Sequence, residues 1–380
     1  MNTLNSKNIL FVELQCKNIE HVKFNSATIK TFSYIYKNSS LNLFAEKNHS
    51  DHIKSELRNK VINEYININF IKSKIKLINH FHRVLILLIQ LFKKKYDHII
   101  ILSLNTHLIF LLKIFFFFFR FKVIFIAHSE LELIKRTNRS YLKNYFSFRT
   151  FYFGLNKDSY RFLFLSQPIM NSVLAINDDL RKRSLYFNHP YSFSKIKKNN
   201  TPTSLNKLKI GFIGFAHKNK GIHDFLDVSK IFSKEILFSL IGKIDDEVNF
   251  DDCKHVEIIN ADCRDDFVSK ISALDFIFMP YPKDKYNLYF SGTALDALEA
   301  NVPILAYKNK FIDYLFGICG DIGYSIDSKE EAIQLLNNLV DEVPEVQYNA
   351  YLKNLDAAKK HFGTKLNAQL LFNQDSEFFL

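Results

Sequence analysis

Between Tyr286 and Ala306 the chain reads YNLYFSGTALDALEANVPILA. Ser291, Gly292 and Thr293 make a turn that runs straight into a helical pattern. That pattern carries apolar Ala294, Leu295, Ala297 and Leu298 with a carboxylate, Asp296, in its first turns, and a strand-like run from Val302 to Ala306 follows. A helix start of this kind directs unpaired N–H groups, two hydroxyls and a side-chain-free glycine at one point, which suits an anion such as a diphosphate. Alternatively, Ser291 only caps the helix. A second turn of similar character lies upstream, where Gly214 closes a strand and the loop after it ends in Lys220-Gly221. A lysine there, at the carboxyl end of a sheet, is placed to reach a phosphate. Neither GxxxxGK[ST] nor GxGxxG is present in that loop. Taken alone Lys220 reads as a solvated lysine, but two anion-seeking turns at strand ends of one sheet say more than either.

Other candidates stand apart from these two. In the first half a strand ends at His128-Ser129-Glu130, where a neutral imidazole can accept a proton or hold a hydroxyl and Glu130 is its nearest carboxylate. A histidine packed in the core is the alternative there. Asp245-Asp246 and Asp251-Asp252 are adjacent acids in a polar loop and read as solvated. No two aspartates are separated by a single residue, so the D-x-D pattern that holds a divalent metal is missing, and no metal is expected.

The elements that must position these residues alternate in type. Strands are expected at 8–14, 41–45, 98–104, 122–127 and 161–166, with helices at 26–36, 77–92 and 108–119. Alternation of this kind predicts a mainly parallel sheet with helices on both faces, whose ligands gather at the carboxyl ends of strands. The polar stretch 194–206, SKIKKNNTPTSLN, is the expected linker. It separates a domain over 1–193 from a second over 207–345, and residues 346–380 finish the chain in helix. Nine of the ten glycines lie from Gly211 onward, so the tight turns that approach phosphate belong to the second domain.

Composition narrows the class. With 380 residues, 47% of them apolar, the chain is globular and long enough for two cores. Its four cysteines, Cys16, Cys253, Cys263 and Cys319, form no C-x-x-C pair, which predicts a reducing, cytoplasmic setting without disulfides or a zinc knuckle. The apolar run at 108–119 is too short to span a bilayer, and the first residues do not form a signal peptide. Charge is uneven. Up to Asn200 there are 32 Lys+Arg against 12 Asp+Glu, a balance of +20; the remainder, 19 against 27, carries −8. The basic half could face the headgroups of an anionic membrane, nucleic acid or a phosphorylated substrate; a lysine-rich soluble surface is the alternative. No motif with interleaved aromatics points to nucleic acid.

The second half resembles the nucleotide-sugar-binding domain of GT-B glycosyltransferases, in particular the bacterial group that builds cell-surface polysaccharides such as capsule and lipopolysaccharide. That group follows a strand with Gly-Arg and, five residues on, Lys-Gly; here Gly214-Phe215 precedes Lys220-Gly221, so the lysine matches and the arginine does not. It also has two glutamates eight positions apart before a G-x-P-V-I strand. Counted back from Val302-Pro303-Ile304, these positions hold Asp296 and Leu288. The resemblance implies an α/β architecture of two Rossmann-like, doubly wound domains facing across a cleft, with a closing helix that crosses back to the first. It implies transfer of a sugar from a nucleotide-diphosphate sugar to a glycan or lipid-linked acceptor, with no cofactor beyond that substrate. Lys220 would bind the diphosphate, with Gly214 beside it, Ser291 to Thr293 would hold phosphate oxygens, and Asp296 would bind the ribose. The acceptor side would fall to His128 and Glu130, and the protein would work on the cytoplasmic face of the membrane. A nucleotide-sugar epimerase of the same fold, or a non-catalytic membrane or nucleic-acid binder built on it, are the other readings.

Overall fold

The structure, a computed structural model, describes residues 6–58, 60–70, 76–104, 121–135, 147–154, 158–193, 207–248, 250, 253–283 and 288–380. The expected linker, the helix at 108–119 and Asp251-Asp252 lie outside the described residues. The chain divides into two compact units, Met1–Ser192 with Phe362–Leu380, and Phe193–His361.

The first unit begins β1 (Asn8–Val12), α1 (Val22–Ile35), β2 (Ser40–Glu46), α2 (Lys47–Glu56), β3 (Glu64–Ile68), α3 (Lys76–Lys93) and β4 (His98–Ile101). It continues β5 (Lys122–Ile126), α4 (Phe148–Gly154), β6 (Tyr160–Phe164), α5 (Gln167–Leu174) and β7 (Ser184–Tyr186). All seven strands are parallel, in the order β3-β2-β1-β4-β5-β6-β7, as the unbroken apolar runs of β1, β4 and β5 require of strands covered on both faces. Two early elements escape sequence patterning. The helix α2 reads KNHSDHIKSE and buries one aliphatic side chain, Ile53; it starts because the Glu46 carboxylate accepts the His49 N–H at 2.9 Å. The edge strand β3 keeps most of its residues exposed or half-buried, so it has little apolar signal.

The second unit holds β8 (Leu208–Ala216), α6 (Ile222–Ile231), β9 (Ile236–Ile244), β10 (Val256–Ile259), α7 (Arg264–Ser272), β11 (Phe276–Met279), α8 (Gly292–Ala300) and β12 (Ile304–Tyr307). Then come α9 (Lys310–Cys319), β13 (Gly323–Ile326), α10 (Lys329–Asp341) and α11 (Glu345–Ala358). Its six strands are again parallel, in the order β10-β9-β8-β11-β12-β13. Under α6 the core is aromatic, with the Phe225 ring set against Phe212, Phe238 and Phe278 at 5.4, 5.7 and 6.4 Å. In both units the sheet grows outward in two directions from its first strand, which makes each doubly wound.

The chain's end returns to the first unit as α12 (Thr364–Gln374) and α13 (Ser376–Phe379). β7 is an edge strand, and the Gln374 side-chain amide covers it as a neighbouring strand would: the Tyr186 N–H donates to Gln374 Oε1 (3.0 Å) and Gln374 Nε2 donates to Tyr186 O (2.8 Å). Arg161 pairs with Asp375 at 2.5 Å, and Phe378 and Phe379 are buried.

Candidate functional site

In the second sheet the order reverses between β8 and β11, so the loops leaving these two strands part and open a crevice at their carboxyl ends. Lys220 and the Ser291-Gly292-Thr293 turn stand on those two loops. Lys220 Nζ donates to Thr293 Oγ1 at 3.0 Å. Gly214, two residues before the end of β8, has φ +86°, and a Cβ placed on it would lie 3.3 Å from Thr293 Oγ1 and 3.5 Å from Lys220 Nζ. A bare Cα therefore faces the ammonium and the hydroxyl, leaving the space that a phosphate oxygen needs. Gly221 seats the lysine loop. Its φ is +73°, and a Cβ there would come 1.8 Å from Pro280 O, so only glycine lets the loop lie against the end of β11.

Ser291 sits at the N-cap of α8 with extended backbone, yet its side chain does not cap the helix; Ser291 Oγ instead lies 3.0 Å from Tyr281 OH, both buried. Gly292 and Thr293, the first helical residues, have no acceptor one turn back within the helix for their N–H groups. Among the described residues, its chain neighbours and its own helix backbone aside, no heavy atom would lie within 4 Å of a Cβ added to Gly292. The helix thus presents its positive pole at the crevice with open space beside the first residue. It is fixed from below by Ala294, Leu295, Ala297 and Leu298, all fully buried.

Asp296 lies one turn beyond Thr293 on the same face of α8. It is not alone there. Arg264, first residue of α7, places Nη2 2.6 Å from Asp296 Oδ1 and 2.5 Å from Glu299 Oε2, so one guanidinium holds both carboxylates. Glu299 is buried and was not singled out from the sequence, nor was Arg264. The Asp296/Glu299 spacing, three residues on a helix, was the available signal for the acids; nothing local marks their cation. Asp245 is half-buried and Asp246 exposed in the turn after β9, where the Asp245 N–H donates to Ala216 O at 2.9 Å.

In the first unit His128 follows β5 and is half-buried. Its ring meets Phe24 edge-on at 4.5 Å and His21 at 5.5 Å, and Phe24 in turn meets His189 at 4.8 Å. Burial first, then the neighbouring His21 and His189, hold the His128 pKa well below the usual imidazole range. The shift favours the neutral imidazole and makes it a weaker proton acceptor than a free histidine. Glu130 is buried and turned inward: its Oε1 accepts from the His128 N–H and from Tyr152 OH, each at 2.9 Å. Burial pushes its carboxyl up to about 7. Glu130 is thus committed to fixing the His128 backbone, and its reach is to that residue. Glu13, at the end of β1, is also buried and accepts from Gln15 N–H (2.7 Å), Cys16 N–H (3.0 Å), Asn25 Nδ2 (3.1 Å) and Ser103 Oγ, which makes it a buried structural hub.

Two doubly wound parallel sheets of seven and six strands, the second with a lysine and a helix N-terminus at its switch point, are the fold of the GT-B glycosyltransferases. Among solved structures, Anabaena HepE in complex with UDP-glucose is similar over 97% of this chain and 99% of its own at TM-score 0.69 and 14% identity. Sucrose-phosphate synthase of Thermosynechococcus elongatus is similar over 98% and 99% at TM-score 0.67 and 11% identity. WaaG, a glycosyltransferase involved in lipopolysaccharide biosynthesis, is similar over 96% and 99% at TM-score 0.63 and 11% identity. No protein-family model matches the sequence, and no curated protein matches it.

Proposed function

We propose that this chain is a glycosyltransferase that moves a sugar from a nucleoside-diphosphate sugar to a hydroxyl of a polysaccharide or lipid-linked acceptor, without a metal, at the cytoplasmic face of a membrane. The observation that carries the reading is the meeting of Lys220 Nζ, Thr293 Oγ1, the bare Cα of Gly214 and the start of α8 at one switch point. In the transfer the bond from the anomeric carbon to the diphosphate oxygen breaks, the acceptor oxygen takes its place, and the acceptor hydroxyl loses its proton. Negative charge accumulates on the departing diphosphate. Lys220 and the N–H groups of Gly292 and Thr293 are fixed cationic and dipolar groups that stabilise that charge without reorganising. Asp296, one turn beyond Thr293 and held by Arg264, is the carboxylate for a ribose hydroxyl. His128, neutral and oriented through Glu130, accepts a hydrogen bond from the acceptor hydroxyl. The UDP-glucose bound to HepE supports the donor class, and the charge of the first half supports the membrane face.

The test is incubation with a panel of sugar nucleotides, with and without acceptor glycans and with EDTA in parallel, following nucleoside diphosphate release and transferred sugar. Acceptor-dependent release that survives EDTA, with nucleotide-diphosphate affinity lowered about 10- to 100-fold by Lys220→Ala, is the expected result. Conversion of the sugar without diphosphate release marks an epimerase, and unchanged affinity in Lys220→Ala removes the donor site.

A further inference from the structure

The helix α3 (Lys76–Lys93) buries Val84, Leu87 and Leu91 against its unit, yet Ile78, Phe81, Leu85, Ile89 and Phe92 are exposed by 48, 54, 44, 45 and 71%. The spacing of three, four, four and three residues puts these five on one stripe that runs the length of the helix, about 25 Å. Soluble chains seldom leave so long an apolar face to water, and such a face marks a surface that something covers. Its electrostatic setting names the occupant. From Tyr65 to Tyr96 the sequence has no Asp or Glu, and it carries Lys72, Lys74, Lys76, Arg83, Lys93, Lys94 and Lys95. Lys93 and Lys95 are exposed at the end of the stripe. Among the described residues no helix is long and apolar enough to cross a membrane. An apolar stripe bordered by lysines, on a helix that does not span, is the form of an element that lies in the plane of an anionic lipid surface.

We infer that α3 is the membrane-docking face of this protein: Phe81, Leu85, Ile89 and Phe92 enter the headgroup–acyl boundary, and Lys93 and Lys95 contact phosphate headgroups. The inference rests on the membrane-face reading proposed above and gives that reading its surface. The five apolar side chains supply attraction that salt does not screen, and the lysines supply the part that it does.

The experiment is flotation of the full-length protein with vesicles of phosphatidylglycerol and phosphatidylcholine, and with phosphatidylcholine alone, across a salt series. Nucleoside-diphosphate binding is measured on the same samples by calorimetry. Phe81→Ser with Phe92→Ser is expected to weaken partition by at least about tenfold and to leave nucleotide affinity and circular dichroism unchanged, since both side chains are exposed. Lys93→Gln and Lys95→Gln are each expected to lower partition about fivefold at low salt and to flatten the salt dependence. Partition that is equal with and without phosphatidylglycerol, or unaltered by the paired serine substitutions, overturns the inference. So does a concentration-dependent dimer that the serine pair dissolves while lipid binding stays absent, because the occupant is then a second copy. Failure of the sugar-transfer reading appears separately, as absent nucleotide binding in a protein that still floats.

Discussion

Arg264→Met tests whether the second unit's acids are held as the structure has them. The substitution keeps the aliphatic stem and removes the cation that Asp296 and Glu299 share at 2.6 and 2.5 Å. Breaking a buried pair from one side costs about 3 to 5 kcal/mol, because the remaining carboxylate is left without its partner. The Glu299 side chain is 1% exposed, which places it in that regime, whereas that of Arg264 is 29% exposed, so water reaches part of the gap. The lower end, about 3 kcal/mol, is therefore expected. For a domain of this size 1 kcal/mol moves Tm by about 2 to 4 °C, giving a fall of about 6 to 12 °C in calorimetry. Glu299→Gln added to Arg264→Met removes the stranded charge and should recover a good part of the loss. A second readout concerns function. Asp296 loses the Arg264 contact, so nucleotide affinity should fall in the single variant and stay low in the double, even where Tm recovers. A drop in Tm of less than about 2 °C in Arg264→Met, or a double variant no more stable than the single, would refute the shared-cation account.

Three further outcomes follow from the same geometry. Gly214→Ala puts a methyl 3.3 Å from Thr293 Oγ1 at φ +86° and should cost about 1 to 2 kcal/mol of stability together with most nucleotide affinity; full affinity by calorimetry would show that the space beside Gly214 is not used. His128→Ala should lower kcat/KM for the acceptor by about tenfold or more with donor affinity intact, and because burial holds its pKa down any histidine limb of the wild-type rate should lie below the usual imidazole range; an unchanged acceptor kcat/KM would return His128 to the core. Glu130 makes stability depend on pH: below the usual 4.5 its carboxyl is protonated in both states, and as pH rises to about 7 the unfolded chain releases the proton before the folded one, so stability falls across that window. Glu130→Gln should lose this slope, and thermal unfolding profiles that stay parallel from about pH 4 to 8 would count against it.

The meeting of Gly214, Lys220 and the Ser291-Gly292-Thr293 turn was legible because its signals are local. A glycine closing a strand, a lysine before a second glycine and a Ser-Gly-Thr run opening a helix each specify their own backbone, and the strand order then brings them to one switch point. Groups that depend on packing between elements were not legible. Arg264 is 32 residues from Asp296 and 35 from Glu299 and reaches them only because α7 packs beside α8. His21 and His189 join His128 only through the folding of three separate loops onto one sheet end. Polar elements such as α2 were lost for a different reason, since a helix that buries one aliphatic side chain has no period to read.

The missed arginine also resolves a difficulty that the sequence raises. After Asn200 the chain carries 27 acids against 19 cations, so the half proposed to receive a diphosphate is negative as a whole, and two of its carboxylates, Asp296 and Glu299, stand within two turns of the N-terminal pole of α8. Left unpaired, they would oppose both the helix dipole and Lys220. Arg264 engages both through Nη2 and offsets one of the two negative charges, which lessens their opposition to Lys220 and the first N–H groups of α8. The ion pair is thereby part of the anion site's electrostatics as well as of its packing. That is why Arg264→Met is expected to weaken nucleotide binding even when Glu299→Gln has restored the fold: the guanidinium that positions Asp296 is gone in both variants.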